Sequence, residues 1–257
     1  MRTLRALWRI LAFVVVNLTL LLIFLLVKLF IFNNPDRYTR WRKFMVRIWA
    51  QSIAWIFNAT VVVEGKRPKA PYFLVSNHLS YFDIIAYYTQ LQCIFVARAD
   101  VRNWPFFGVL TRSVNTLFID RTLKKDVVRV NKLIDEAMDK FGGVMFFPEG
   151  TSTKGEELAP FKAPLFEMAA KREAPVSCAY LRYDGSSKDA PPHRTICWWD
   201  DTSFPLHVWR LLKTTKIVAT ISFIPGTIKS NDRKVLARET FEKIQQNFKP
   251  TFITESS

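Results

Sequence analysis

The stretch SNHLSYFDI, residues 76–84, sets an imidazole and a carboxylate five positions apart, His78 and Asp83, among apolar and aromatic neighbours. Both groups are costly to place near a core. On a straight helix of 3.6 residues per turn this offset puts two side chains ~140° apart, so they could not touch mid-helix. They can touch when His78 lies in the turn after a strand and Asp83 in the first turn of the following helix, with Ser80 as the N-cap. A histidine whose Nδ1 is held by a carboxylate can take a proton through Nε2. A serine hydrolase would also need a nucleophile, but the sequence has no GxSxG elbow, and Ser76 and Ser80 lie too close to His78 to settle as one. The proton would then come from a substrate, such as an alcohol that attacks an activated acyl group. The other reading is a buried structural histidine beside a capping aspartate, and spacing alone leaves both open.

Two further stretches carry chemistry. FFPEGTSTKGEE, residues 146–157, runs from a strand into Pro148, Glu149, Gly150 and hydroxyl residues, a loop with free backbone N–H groups. Gly150 and Gly155 have the spacing of a phosphate loop, but Glu156 stands where its lysine is required, which excludes nucleotide binding of that kind. Taken alone, Glu149 reads equally as a capping or ion-pair carboxylate. NTLFIDR, residues 115–121, ends on Asp120 and Arg121; the guanidinium could fork onto a phosphate or pair with Asp120 or Glu149.

The elements that must position these groups are legible in the pattern. Residues 60–65, 72–77, 93–97, 115–119, 144–147, from 176 onward, 195–199 and 216–224 read as strands. Residues 122–141, 161–172, 205–213 and 231–248 read as helices, with Gly142-Gly143 ending the first and Pro164 in the first turn of the second. The fold class is α/β, a mostly parallel sheet flanked by helices, with an N-terminal membrane-associated helical segment. In such sheets ligands bind at the carboxyl ends of the strands, where both stretches fall.

The N-terminal part is of another kind. Residues 10–27 are uncharged, and LFIF extends them beyond Lys28, enough for a membrane helix. Arg2, Arg5 and Arg9 resemble the start of a signal peptide, but the apolar run is too long and no small-residue cleavage site follows. Residues 35–58 form a basic, tryptophan-rich amphipathic helix suited to a lipid interface. The division is therefore an anchor at 1–58, a catalytic domain at 59–250 and a short tail at 251–257. Whether the first helix spans the bilayer or folds back with the second is open at this level.

Lysine and arginine number 37 against 22 acidic residues, a formal charge of +15, which calls for an anionic partner such as nucleic acid, anionic lipid or an acidic carrier. No RNP-like, zinc or helix-turn-helix pattern supports nucleic acid, and the basic residues cluster beside the apolar segment. The three scattered cysteines, Cys93, Cys178 and Cys197, form neither a disulfide framework nor a zinc spacing.

In order along the chain, NHLSYFD (77–83), NTLFIDR (115–121), FFPEGTST (146–153) and APVSCAY (174–180) resemble the four blocks of the glycerolipid acyltransferase family, which includes lysophosphatidic acid acyltransferases. FVARADVRNWPFFG (95–108) resembles the family's link between the first two blocks. The resemblance spans roughly residues 60–225 and implies a membrane-bound O-acyltransferase. His78 would be the general base on the acceptor hydroxyl and Asp83 its orienting partner. The donor would be acyl-CoA or an acyl carrier protein, with no metal, no covalent enzyme intermediate and no cofactor beyond that co-substrate. Arg121 would hold the acceptor's phosphate, Glu149, Gly150 and Thr151 would shape its site, and Arg98 would lie near the thioester.

The resemblance implies 1-acyl-sn-glycerol-3-phosphate as acceptor, with lyso-ornithine lipid or another lysolipid, or thioester hydrolysis, as alternatives. Its partners would be the bilayer, the lysolipid and the acyl donor, not nucleic acid, with the active site on the cytoplasmic face of a membrane. Two departures stand out: Ser152 replaces an arginine, and Asn115 a glycine, that many members carry. Lys154 or Lys162 could restore the lost charge.

Overall fold

The computed structural model describes residues 1–31, 33–98, 117–119, 133, 134, 136, 138, 140 and 142–252. The chain opens with α1 (Arg2–Ile31) and α2 (Pro35–Ile56). There follow β1 (Ala59–Glu64), β2 (Tyr72–Val75), α3 (Phe82–Gln90), β3 (Ile94–Arg98), β4 (Leu117–Ile119) and β5 (Gly143–Phe146). A 3-10 turn at Ala163–Phe166 leads into α4 (Glu167–Lys171), then β6 (Val176–Gly185), α5 (Pro192–Thr195), α6 (Phe204–Lys213), β7 (Ile217–Ile228) and α7 (Arg233–Asn247).

The strands form one seven-stranded sheet in the order β1-β7-β6-β2-β5-β3-β4. Every pairing is parallel except β6 with β7. β2 and β5 are buried along their whole length, which is why they read as unbroken apolar runs rather than alternating ones. Alternation survives as a choice of face. Leu74, Met145, Phe95 and Leu181 pack into the core shared with α1, α2, α3 and α6. Phe73, Val75, Phe146 and Val96 pack into the core on the other side, under α4 and α7.

Register brings the chemistry to one edge. Val75 pairs with Phe146 and Phe146 with Val96, so the chain leaves β2, β5 and β3 side by side. Arg98 is in register with Ile119, which aligns β4 with the same edge. The helix expected over 122–141 is helical at Leu133, Ile134, Glu136, Met138 and Lys140. Gly142, at φ +87°, closes it with its N–H on Met138 O, a conformation that favours glycine.

One expected strand is absent. Beyond Thr195, the last residue of α5, the run is irregular chain: Ile196 and Cys197 are buried, Trp198 N donates to Leu79 O at 2.8 Å, and no strand ladder forms there among the described residues. An apolar run buried beneath neighbouring elements gives the same short signal as a strand.

α1 and α2 lie antiparallel. Asn34 opens α2 by accepting from Arg37 N at 2.9 Å, with Pro35 at the first position. Trp49 Nε1 donates to Asn17 Oδ1 at 3.1 Å, and the Phe24 and Tyr38 rings meet nearer the tip. At the base Arg9, 3% exposed, donates to Phe57 O (2.8 Å), Leu212 O (3.0 Å) and Thr214 O (2.8 Å). Those carbonyls lie at the C-terminal ends of α2 and α6, where cations are favoured. Arg5 adds a bond to Lys213 O at 2.8 Å. The arginines at the head of α1 thus fasten it to the α/β body. Beyond them Leu18, Leu22 and Leu29 are each more than half exposed.

Candidate active site

β2 ends at Val75, and the chain turns through residues 76–81 before α3 begins at Phe82. Asn77 pins this turn as a surrogate strand residue. Its Nδ2 donates to Leu181 O (2.9 Å) and its Oδ1 accepts from Leu181 N (2.7 Å), extending the β2–β6 ladder through a side chain. Ser76 Oγ accepts from Tyr87 OH at 2.7 Å and is fully buried, so it is no nucleophile.

His78 Nδ1 lies 2.8 Å from Asp83 Oδ2, as a strand-to-helix turn allows. The N-cap position falls on Tyr81, without a side-chain cap bond, and not on the expected Ser80, because the helix begins one residue later at Phe82. Ser80 Oγ accepts from Phe82 N at 3.3 Å, while Asp83 Oδ2 takes the N–H groups of Leu79 (2.7 Å) and Ser80 (3.1 Å). Tyr183 OH donates to Asp83 Oδ1 at 2.7 Å. With donors already on both its oxygens, the buried Asp83 is set to accept from His78. The imidazole proton therefore resides on Nδ1, leaving Nε2 as the basic nitrogen. Burial, and then Asp83 itself, hold the Tyr183 phenol well above its ordinary pKa, so it stays a donor. His78 keeps 22% of its side chain exposed and stacks on Phe147, ring centroids 4.2 Å apart.

Glu149 leaves β5 beside this turn but points inward and is 1% exposed. Its Oε1 accepts from His78 N (3.0 Å) and its Oε2 from Ala159 N (3.3 Å). Burial pushes its pKa up to about 8, partly offset by those two bonds. Thr153 N closes the frame on His78 O at 2.9 Å. Both backbone groups of His78 are thus held by the loop after β5.

Gly150, at φ +72°, lies under the Lys162 side chain, whose Nζ would stand 2.9 Å from any Cβ there. Thr151 is exposed at the rim. Ser152, where many family members carry arginine, instead donates its hydroxyl to Trp198 O. Lys154 pairs with Glu156. Arg98 ends β3 at the same sheet edge, and Arg121 lies outside the described residues. Among the described residues no group of three or more His, Cys, Asp or Glu is placed to hold a metal ion.

Sequence reasoning singled out His78, Asp83 and Glu149, the last as a capping or ion-pair carboxylate or, by resemblance, a shaper of the acceptor site, but it missed Tyr183 and Asn77. Tyr183 lies in an apolar strand 100 residues from Asp83 and carries no local signal. Asn77 stood inside the first block without a role. What the arrangement offers is an oriented, partly exposed base on a turn held by hydrogen bonds at both ends.

Residues 59–182 match the family described as Acyltransferase. The chain is 30% identical over 216 residues to the lyso-ornithine lipid O-acyltransferase of Pseudomonas aeruginosa, covering 82% of this chain and 78% of that one. It is 29% identical over 176 residues to the 1-acyl-sn-glycerol-3-phosphate acyltransferase of Neisseria gonorrhoeae, 67% of each chain. The fold is shared with the crystal structure of the 1-acyl-sn-glycerophosphate (LPA) acyltransferase PlsC from Thermotoga maritima. The TM-score is 0.64 at 18% identity, over 96% of this chain and 98% of that one. The oriented histidine–aspartate pair and these likenesses agree: the chain belongs to the acyltransferase family.

Proposed function

We propose that this acyltransferase moves a fatty acyl group from a thioester donor to the free hydroxyl of a lysolipid at a membrane surface. The observation that carries the reading is the His78–Asp83 contact, with Nε2 left as the basic nitrogen of a partly exposed ring. His78 Nε2 takes the hydroxyl proton as the oxygen attacks the thioester carbonyl. The tetrahedral adduct collapses, the C–S bond breaks, and the imidazolium returns the proton to the departing thiolate. Asp83 stabilises the imidazolium, and Tyr183 and two backbone N–H groups hold Asp83 still.

The acceptor we favour is 1-acyl-sn-glycerol-3-phosphate, with Arg121, Lys162 and the Gly150–Thr151 rim receiving its phosphate and Arg98 near the donor thioester. Lyso-ornithine lipid is the second reading. It is favoured by the longer match to an enzyme of that name and by the serine at position 152, which spends its hydroxyl on Trp198 O.

α1 is supported as the membrane element by its length, about 45 Å at 1.5 Å per residue over 30 residues, and by its exposed leucines. It is the one helix among the described residues long and apolar enough to cross a bilayer. The site would face the cytoplasm, where soluble thioester donors are made.

The deciding experiment offers purified protein a panel of lysolipids with labelled acyl-CoA or acyl carrier protein and reads the products by mass spectrometry. A diacyl product from one acceptor class supports the reading. Free fatty acid alone would make the protein a thioesterase.

A further inference from the structure

An open cleft of about 440 Å³ lies outside the His78 turn, between α5 and α6. His193, Arg194, Thr195, Trp199, Asp200 and Arg210 line it, and the mechanism uses none of them. Trp199 is 46% exposed and is steadied by its Nε1 bond to His193 O at 2.8 Å. Arg194 and Arg210 are exposed, and Arg210 is steered by Thr202 Oγ1 at 3.2 Å. Asp200 is the only acid in the lining and accepts from Thr202 N at 3.2 Å. His193, 9% exposed, stacks on Phe252 at 4.0 Å, and its Nδ1 has no hydrogen-bond partner.

A steadied indole face, two guanidinium forks and one carboxylate are the complement of a phosphorylated nucleoside. The base stacks on the indole, the forks take phosphate oxygens, and the carboxylate accepts from a ribose hydroxyl. The cleft is also tied to the reaction centre. Trp198, next to the indole that walls it, donates its N–H to Leu79 O and accepts from Ser152. Leu79 follows the catalytic histidine, and Ser152 belongs to the loop that frames it. A nucleotide held here would be the far end of a molecule whose other end reacts at His78.

We propose that the cleft between α5 and α6 is the nucleotide subsite for a coenzyme-A-type thioester donor. This rests on the acyl-transfer reading and deepens it, since a phosphopantetheine arm carried on a protein would leave the cleft empty.

The test is calorimetric titration of the full chain in detergent micelles with adenosine 3′,5′-bisphosphate. Saturable binding is expected, weakened about tenfold or more by Trp199→Ala and by Arg210→Ala and retained by His78→Ala. No saturable binding, or binding indifferent to both substitutions, would overturn the proposal. Kinetically, Arg210→Ala should raise KM for acyl-CoA about tenfold, leave the acceptor KM alone and spare turnover of an acyl-pantetheine thioester. A shift in the acceptor KM instead would make the cleft a lipid-headgroup site and overturn the proposal. Arg210 is exposed, so loss of folding does not obscure that variant. Nucleotide binding in a protein that acylates no lysolipid would support the subsite while defeating the acyl-transfer reading.

Discussion

Tyr183 reaches from near the C-terminal end of β6 to donate its phenol to Oδ1 of Asp83 at 2.7 Å, on the opposite oxygen from His78. This buried hydroxyl is the donor on the oxygen that the Leu79 and Ser80 N–H groups leave free. Tyr183→Phe leaves that oxygen buried and unpaired, which costs about 1–3 kcal/mol. The expected result is a tenfold or larger loss in kcat at unchanged acceptor KM, with the fold kept. Wild-type kcat in a folded variant would show that the two backbone donors suffice to orient Asp83.

His78→Ala should abolish acyl transfer while the circular dichroism spectrum and melting temperature stay close to wild type, because Asp83 Oδ2 keeps the Leu79 and Ser80 N–H groups when the ring is gone. Removing a general base typically costs about 10²–10⁴-fold. Residual turnover near the wild-type rate would end the mechanism.

Glu149 gives a pH signature. Burial raises its pKa from an ordinary 4.5 to about 8, so the folded protein holds a proton that the unfolded chain has released. Its contribution to stability is greatest below the lower of these values and declines as pH rises through the higher one. The melting temperature of wild type relative to Glu149→Gln should therefore fall between about pH 4.5 and pH 8. A pH-independent difference would refute the buried-acid assignment. With its oxygen kept on His78 N, the amide sets an NH2 against Ala159 N, donor against donor, so kcat should drop only as far as that clash shifts the loop framing His78.

Arg9→Ala removes three bonds to carbonyls at the ends of α2 and α6. A loss of about 2–4 kcal/mol is expected, since the carbonyls are left without their charged donor. Limited proteolysis should then cut the chain near α1 at a rate that wild type resists. Equal resistance would show that α1 docks through its apolar contacts alone.

Much of this protein is local and was legible without coordinates. Strand and helix periods give an α/β body, a long uncharged run gives α1, and a five-residue offset places His78 and Asp83 across a strand-to-helix turn. Those features depend on neighbours a few residues apart, which a linear chain displays. Tertiary structure decided the rest. It turned residues 195–199 from an apparent strand into an irregular connector buried at Ile196 and Cys197, and it set Glu149 on the backbone N–H groups of His78 and Ala159. It also carried Tyr183 from a distant strand to Asp83. Each outcome depends on which groups must find hydrogen-bond partners once water is excluded. Only the packed sheet, with β2 between β5 and β6, brings those partners within reach.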